Sequence, residues 1–255
     1  MARTVALAER ASPWLLALLL VLAWDLTTRF GLIDPHDVSR PQDVLVLIWQ
    51  WTVTGYVFPH LAETVFEVAA GYIAGTLAGL AVAFVFLFHP RIAALFQLPV
   101  TLLNALPRAI LAPFVVLLLG LNALPKIALV LLVVFIITLI NLSAGLREVD
   151  RTIVDNARVL GASRRDLISY VYVPAALVWI VGAMRNSIGH AFTAAVVCEL
   201  VGATSGLGWL IAAGQAAIKP DWVMAGLFFA SVIVVFVDLL LLAPLERRGA
   251  HWRVF

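Results

Sequence analysis

The chain has 255 residues, of which 63% are hydrophobic and only 13% are charged, with a formal net charge of +2. A water-soluble domain has about half its residues apolar and about a quarter charged, so this composition excludes a soluble fold. It predicts an all-α, polytopic membrane protein, because helices satisfy their backbone hydrogen bonds within lipid. The single cysteine, Cys198, excludes an internal disulfide framework, and the scattered histidines predict no metal site.

Six segments have the roughly 20 mostly apolar residues that a helix needs to cross the hydrocarbon core. They make one transmembrane domain over residues 1–255, with spans at about 13–32, 62–88, 92–120, 124–145, 173–200 and 222–245. The first resembles a signal peptide, but no small-residue cleavage site follows it, which indicates a retained span. The third contains Pro99, Pro107 and Pro113.

Two segments have features beyond hydrophobicity. Residues 33–60 contain "VLVLIWQW", which is too short to span and whose tryptophans favour a helix at the membrane interface. In the second span, Gly71, Gly75 and Gly79 recur at every fourth position. This spacing predicts a bare helix face against which another helix packs closely.

The distribution of Lys and Arg predicts the orientation, because positive residues are enriched in cytoplasmic segments. With the N-terminus inside, the inner segments hold Arg3, Arg10, Arg91, Arg147, Arg151, Arg158, Arg164, Arg165, Arg247, Arg248 and Arg253, and the outer segments hold Arg29, Arg40, Lys126 and Lys219. Both termini are therefore predicted to be cytoplasmic.

A charged cytoplasmic segment, residues 147–172, separates the fourth and fifth spans. Gly161 occupies a helix C-cap position, and Ser163 with Asp166 forms the pattern of an N-terminal cap. Pro174 predicts a further break before the span. The segment is either a rigid helical corner or a solvated loop with good caps.

This segment resembles the cytoplasmic motif of binding-protein-dependent ABC transporter permeases, EAA-x3-G-x9-IxLP. Asp155-Asn156-Ala157 stands for EAA, and Gly161 and Val171-Tyr172-Val173-Pro174 keep the spacing. The resemblance implies a coupling helix that docks on an ATPase subunit. The residues assigned to this ATPase coupling are Asp155, Asn156, Ala157, Arg158, Gly161, Ala162, Ser163 and Pro174.

Further blocks are similar to the nitrate/sulfonate/taurine branch of these permeases, which have the MetI-like transmembrane fold. They are "FGLIDPHDVSRPQDV", "LPRAILAPFVVLLLG", "INLSAGLREVD", "CELVGATSGLGWLI" and "LERRGAHW". The resemblance implies the permease subunit of an importer in a bacterial inner membrane. Its expected partners are an ATPase dimer, a second permease chain (a homodimer), a soluble binding protein and the lipid bilayer, with no nucleic acid.

The chain lacks the residues for hydrolysing ATP itself. No GxxxxGK[ST] loop is present, and neither Lys126 nor Lys219 follows a glycine. Clustered catalytic groups at membrane depth are also missing. We therefore expect no enzyme activity and no cofactor in this chain, with ATP and Mg²⁺ bound by the separate ATPase.

Polar and ionisable residues within spans are candidates for the translocation pathway. The fifth span has a small polar face that is flanked by Arg185, and a second arginine, Arg108, lies in the third span. The pathway candidates are Arg108, Arg185, Asn186, Gly189, His190 and Thr193. The face could instead be a helix contact, and each Arg could snorkel or pair with Glu67 or Asp25.

A re-entrant turn is predicted after the fifth span, where it would form an outer gate or a contact for the binding protein. Its residues are Glu199, Gly202, Gly206 and Gly208. Asp238, near the inner end of the sixth span, is predicted to be structural.

The cargo predicted from the resemblance is nitrate, a sulfonate, taurine or a similar small solute. The alternatives are a vitamin precursor or another small organic cargo. A self-sufficient secondary transporter is a different class, which needs no coupling corner and usually has internal repeats.

Overall fold

The computed structural model describes residues 2–34, 37–242 and 244, and within those ranges it contains helices and short connections but no strand. The helices are α1 (Ala2–Arg29), α2 (Pro41–Val53), α3 (Val57–Phe88), α4 (Pro90–Ala105), α5 (Arg108–Leu119), α6 (Ala123–Arg147), α7 (Arg151–Val159), α8 (Arg164–Leu167), α9 (Val173–Gly202), α10 (Leu207–Ala216) and α11 (Pro220–Val237). π-helical turns at Ile168–Tyr172 and Asp238–Leu242 adjoin α9 and α11. The fold is therefore all-α, as predicted.

Four stretches of the described chain are long and apolar enough to cross a membrane, namely Val57–Phe88, Ala123–Arg147, Arg164–Gly202 and Pro220–Leu240. They fall on the second, fourth, fifth and sixth predicted spans. The first predicted span falls on α1. The side chains of residues 2–14 lie outside the part of the chain that the structure describes, so this span stays a prediction. Residues 243 and 245, at the predicted end of the sixth span, lie outside the described residues.

The third predicted span, 92–120, is not one straight helix. Helices α4 and α5 meet at an angle of 103°, which corresponds to a broken span or a re-entrant loop. Leu106 is extended (φ −66°, ψ 132°) because it precedes Pro107, whose ring disfavours a helical residue before it. Pro99 and Pro113 lie inside their helices.

Helix α6 is the centre of the bundle and packs between α3 and α9. The predicted glycine face of α3 lies directly on it: a Cβ at Gly71 would lie 2.6 Å from the carbonyl oxygen of Ile127, and one at Gly75 would lie 2.6 Å from that of Leu131. Helix association in lipid depends on such close packing, because the lipid tails are as apolar as the side chains. The glycines therefore let two backbones approach in a way no other residue allows.

A second layer covers the bundle end that is predicted to be external. Trp51 of α2 is buried with Leu207 and Leu210 of α10 and with Phe229 of α11. The rings of Trp51 and Trp222 meet edge to face, with centroids 5.3 Å apart. This layer holds α10 and the loop before it against the start of α3.

Candidate functional site

The corner between α7 and α8 is held by local hydrogen bonds. The Asp150 carboxylate accepts from the backbone N–H of Thr152 (2.8 Å), which begins α7. At its end, the N–H of Ala162 donates to the Ala157 carbonyl and the N–H of Gly161 to the Arg158 carbonyl, both at 2.9 Å. This is a Schellman motif, and Gly161 adopts the φ of +87° that it requires.

Helix α8 begins with a complete capping box. The Ser163 hydroxyl donates to the Asp166 carboxylate (2.6 Å) and accepts from the Asp166 N–H (3.2 Å), and the Ser163 N–H donates to the same carboxylate (2.9 Å). The hydroxyl and then the backbone N–H of Ser163 lower the pKa of Asp166, and the Thr152 amide lowers that of Asp150. Both caps are therefore strongest with ionised carboxylates.

The break predicted at Pro174 is absent. Residues Arg164–Gly202 form one continuous helical stretch, and Pro174 lies in the first turn of α9, directly after the π-helical turn. A proline ring clashes with the carbonyl of the residue four positions earlier in a regular α-helix, and the wider turn accommodates it. The corner is thus connected rigidly to a membrane-crossing helix.

The tip of the corner is exposed and apolar. Val159 and Leu160 are 86% and 88% exposed, whereas Val154 and Leu167 are buried. The side chains of Asp155, Asn156 and Arg158 are exposed, and Ala157 and Ala162 are half-buried. Val159 and Leu160 therefore form a small exposed apolar surface at the end of a charged segment.

Two aromatic contacts join the corner to the bundle. The Arg164 guanidinium lies 4.6 Å from the centre of the Phe88 ring, at the end of α3. Phe88 in turn meets Tyr172 edge to face, with ring centroids 5.8 Å apart. The corner therefore contacts both α3 and the turn that leads into α9.

The predicted polar face of α9 is open. Asn186, His190 and Thr193 are exposed, and a Cβ built at Gly182 or Gly189 would meet no described atom within 4 Å. On the opposite side of α9, the Tyr72 hydroxyl donates to the Met184 carbonyl (2.5 Å). Tyr72 therefore fixes which side of α9 faces the bundle and which stays open.

Arg185 has a partner that the sequence analysis did not name. Its guanidinium donates to both carboxylate oxygens of Asp238, at 3.0 and 3.2 Å. Of the two carboxylates considered as alternatives, Glu67 pairs with Lys126 and Asp25 pairs with Arg29. The side chain of Arg108, the other candidate, lies outside the described part of the structure.

The residues predicted as an outer gate are packed inside the protein. Glu199 is 1% exposed and accepts from Gly208 N–H (2.5 Å) and from the Thr64 hydroxyl (2.6 Å). A Cβ at Gly206 or Gly208 would overlap the Glu199 side chain, and one at Gly202 would overlap Leu121. Glu199, Gly206 and Gly208 therefore pack together at this loop, and the role of the four residues as an outer gate or a binding-protein contact stays a prediction.

Lys126 is predicted to lie in an outer segment, and its side chain is buried in the structure. Its ammonium lies 2.6 Å from Oε1 of Glu67 and 3.3 Å from Oε1 of Glu63. One feature of the sequence could have predicted this buried ion pair: Glu63 and Glu67 are four residues apart and so share one helix face. No cluster that could hold a metal ion occurs among the described residues.

Membrane-crossing helices, an open polar face on one of them and an exposed corner together suit a membrane transport protein. The family described as "Binding-protein-dependent transport system inner membrane component" matches residues 71–245. The chain belongs to this family and is the permease subunit of an ABC importer.

Individual relatives cover most of the chain. It is 28% identical to an aliphatic sulfonates transport permease protein of Bacillus subtilis, over 94% of this chain and 86% of the relative. It is also 28% identical to the taurine transport system permease protein of Escherichia coli, over 93% of this chain and 87% of the relative. The fold matches the inward-facing MetNI methionine ABC transporter, with a TM-score of 0.65 and 17% identity over 77% of this chain and 95% of the matched chain.

Proposed function

We propose that two copies of this chain form the pathway for a small sulfonate or a similar anion in a bacterial inner membrane. A soluble binding protein delivers the cargo, and a separate ATPase dimer, which binds ATP and Mg²⁺, drives transport. The exposed corner at residues 155–163 carries this proposal, because it is a rigid projection with an uncovered apolar tip.

The corner supports coupling to a separate motor because it is stiff at each joint. The Schellman motif, the capping box and the continuous helical stretch 164–202 leave no flexible link between the tip and the membrane. A push on Val159 and Leu160 therefore moves α9 as a rigid body. The ATPase must lie in the cytoplasm with its ATP, so the corner that contacts it lies on that side of the membrane. The predicted topology puts both termini on the same side as the corner.

The open face of α9 supports pairing of two chains around a pathway. Gly182 and Gly189 leave the backbone uncovered, and Asn186 and His190 are exposed beside them. Exposed polar side chains on a membrane-crossing helix are unfavourable in lipid, so this face requires water or a second chain. A sulfonate accepts hydrogen bonds, which amide and imidazole N–H groups donate.

Reconstitution tests the coupling. The chain is assembled in liposomes with its ATPase subunit and its binding protein, and uptake of a labelled alkanesulfonate is measured with and without ATP. We expect uptake only when all components and ATP are present. Uptake by this chain alone would contradict the proposal and would favour a secondary transporter.

The matched pair Leu160→Asp and Leu121→Asp tests the site of coupling. Both leucines are exposed, but Leu121 lies beside Gly202, at the end of α9 that is farther from the corner. We expect Leu160→Asp to abolish co-purification of the ATPase subunit, with Leu121→Asp leaving it unchanged. A thermal-shift screen of the binding protein with sulfonates, nitrate and vitamin precursors then identifies the cargo.

A further inference from the structure

Helix α10 begins without a cap of its own. Its N-cap residue is Gly206, which has no side chain, and the first N–H groups of a helix lack partners within that helix. Leu207 and Gly208, the first two helical residues, are buried in the structure. Because buried N–H groups need hydrogen-bond partners, those of α10 must come from other parts of the chain.

The beginning of α3 supplies two of these partners. The Leu207 N–H donates to the Thr64 side-chain oxygen (2.9 Å), and the Gly206 N–H donates to Nδ1 of His60 (3.2 Å). The His60 ring also stacks on the ring of Trp209, with centroids 5.1 Å apart. The first turn of α10 is therefore attached to α3 by side chains that are distant in the sequence.

The end of α9 supplies the third partner. The Gly208 N–H donates to Oε2 of Glu199 (2.5 Å). The Thr64 hydroxyl lies 2.6 Å from Oε1 of Glu199 and 3.2 Å from the carbonyl oxygen of His60, so its hydrogen can be donated to either of them. Thr64 and Glu199 are at most 1% exposed. Helices α3, α9 and α10 thus meet at one buried junction, formed by His60, Thr64 and Glu199, which we call the α10 junction.

Helices α10 and α11 form an antiparallel hairpin that extends away from the α10 junction. A Cβ at Gly214 would lie 2.7 Å from the Cβ of Trp222. A Cβ at Gly226 would lie 2.6 Å from a side-chain carbon of Ile211, so the two helices run side by side in opposite directions. Residues 215–219, at the tip of the hairpin, are all exposed. The tip lies at the end of the bundle that is predicted to be external.

We propose that His60, Thr64 and Glu199 are positioning residues, through which movement of α9 reaches the external hairpin. The inference rests on the proposed function, because the movement begins where the ATPase subunit contacts the corner. Residues Arg164–Gly202 form one continuous helical stretch, so a displacement of the corner reaches Glu199 without a flexible link. Separation of α10 from α3 or α9 would leave buried N–H groups without partners, which is unfavourable. The hairpin therefore moves together with α9.

The affinity of the binding protein for the assembled importer measures this connection, because coupling between two binding sites is reciprocal. The importer is placed in nanodiscs, and the Kd of its fluorescently labelled binding protein is measured with and without a non-hydrolysable ATP analogue and Mg²⁺. We expect the analogue to change the wild-type Kd by about fivefold or more. In Thr64→Val the two Kd values should be nearly equal, because valine has the shape of threonine but neither donates nor accepts a hydrogen bond.

Two further variants show whether the hydrogen bonds of Thr64 are responsible. Thr64→Ser keeps the hydroxyl and should restore the change in Kd. Thr76→Val is the matched control, because Thr76 is also on α3 and its buried hydroxyl has no hydrogen-bond partner among the described residues. Its change in Kd should equal that of the wild type. A full change in Kd in Thr64→Val, or an equal loss in Thr76→Val, would overturn the proposal.

Hydrogen exchange of the wild-type importer provides a second measurement that does not depend on the folding of a variant. The amides of Gly206, Leu207 and Gly208 should exchange equally slowly with and without the ATP analogue. Faster exchange in one of the two states would mean that α10 separates from α3 and α9, which would overturn the proposal. Uptake by the same importer distinguishes the two levels of inference. An importer that takes up cargo with ATP but has the same Kd in both states contradicts the α10 junction alone, whereas absence of uptake contradicts the proposed function.

Discussion

Arg185 of α9 and Asp238, just after α11, form an ion pair with two hydrogen bonds, at 3.0 and 3.2 Å, between residues 53 positions apart. The side chains are 43% and 27% exposed, so the pair lies at the edge of the open polar face. Arg185 therefore keeps its positive charge beside Asn186 while Asp238 balances it. An anionic cargo would meet a guanidinium that already has a partner.

A double-mutant cycle measures this pair. Arg185→Gln and Asp238→Asn each remove one charge and leave the other unbalanced. Because both groups are partly solvated, we expect a coupling energy of only about 0.5–1 kcal/mol in thermal unfolding of the purified chain. Ser231→Ala, which removes a hydroxyl bonded only within α11, provides the control. Strictly additive effects of the two charge changes would show that the pair contributes nothing.

Substitution of Gly161 tests whether coupling depends on the backbone conformation of the corner. A Cβ at this position would meet no described atom within 4 Å, so the penalty comes from the φ of +87° alone. We expect Gly161→Val to weaken ATPase co-purification and coupled uptake, because a β-branched residue disfavours this conformation by about 1–2 kcal/mol. Membrane insertion, measured from the membrane fraction, should not change.

Gly161→Asn is the matched control for this experiment. Asparagine tolerates the left-handed region better than other residues that have a Cβ. It should therefore retain most of the coupling that valine loses. Equal loss in both variants would indicate that the side chain blocks the partner and that the bend itself is not required.

The features that could be predicted from the sequence are those determined by neighbouring residues. Gly161 and the Ser163–Asp166 pair act over three to five positions, so their spacing was sufficient to predict the caps, whereas the choice of a rigid corner over a solvated loop required the resemblance to ABC permeases. The glycine face of α3 was predictable for the same reason, because helical periodicity places Gly71 and Gly75 on one side. The π-helical turn before Pro174 has no comparable local signal.

Contacts between distant segments could not be predicted. Lys126 and Glu67 are 59 positions apart, and the predicted topology assigned Lys126 to an outer segment without indicating that its side chain is buried. Arg185 had several acidic residues as candidate partners, and only the packing of α9 against the end of α11 selects Asp238. In each case the helix was predicted correctly, but the rotation that decides which side chains meet was not.

Enlarging Gly75 tests the close approach of α3 and α6. A Cβ there would lie 2.6 Å from the carbonyl oxygen of Leu131, and a backbone atom cannot move aside as a side chain can. We therefore expect Gly75→Ala to destabilise the purified chain by about 1–3 kcal/mol in thermal unfolding. Ala81→Leu adds more volume on the exposed side of α3 and should have little effect. A Gly75→Ala chain as stable as the wild type would contradict the tight contact.

The caps of the corner should respond to pH in one direction. The pKa of Asp166 is lowered in the folded state, mainly by the Ser163 hydroxyl, so its contribution to stability is present above the ordinary carboxyl pKa. That contribution is lost as the pH falls through the lowered folded-state pKa. Hydrogen exchange of the first α8 amides should therefore accelerate, relative to the intrinsic rate, when the protein is brought to acidic pH.

Ser163→Ala assigns this response to the capping box. Without the hydroxyl, the pKa of Asp166 returns toward its ordinary value, so protection of the α8 amides is weaker at neutral pH and changes less on acidification. The first amides of α7, capped by Asp150, provide an internal control, because Thr152 and not Ser163 lowers the pKa of that group. If α7 and α8 lost protection together in Ser163→Ala, the two caps would be one cooperative unit and the local assignment would be wrong.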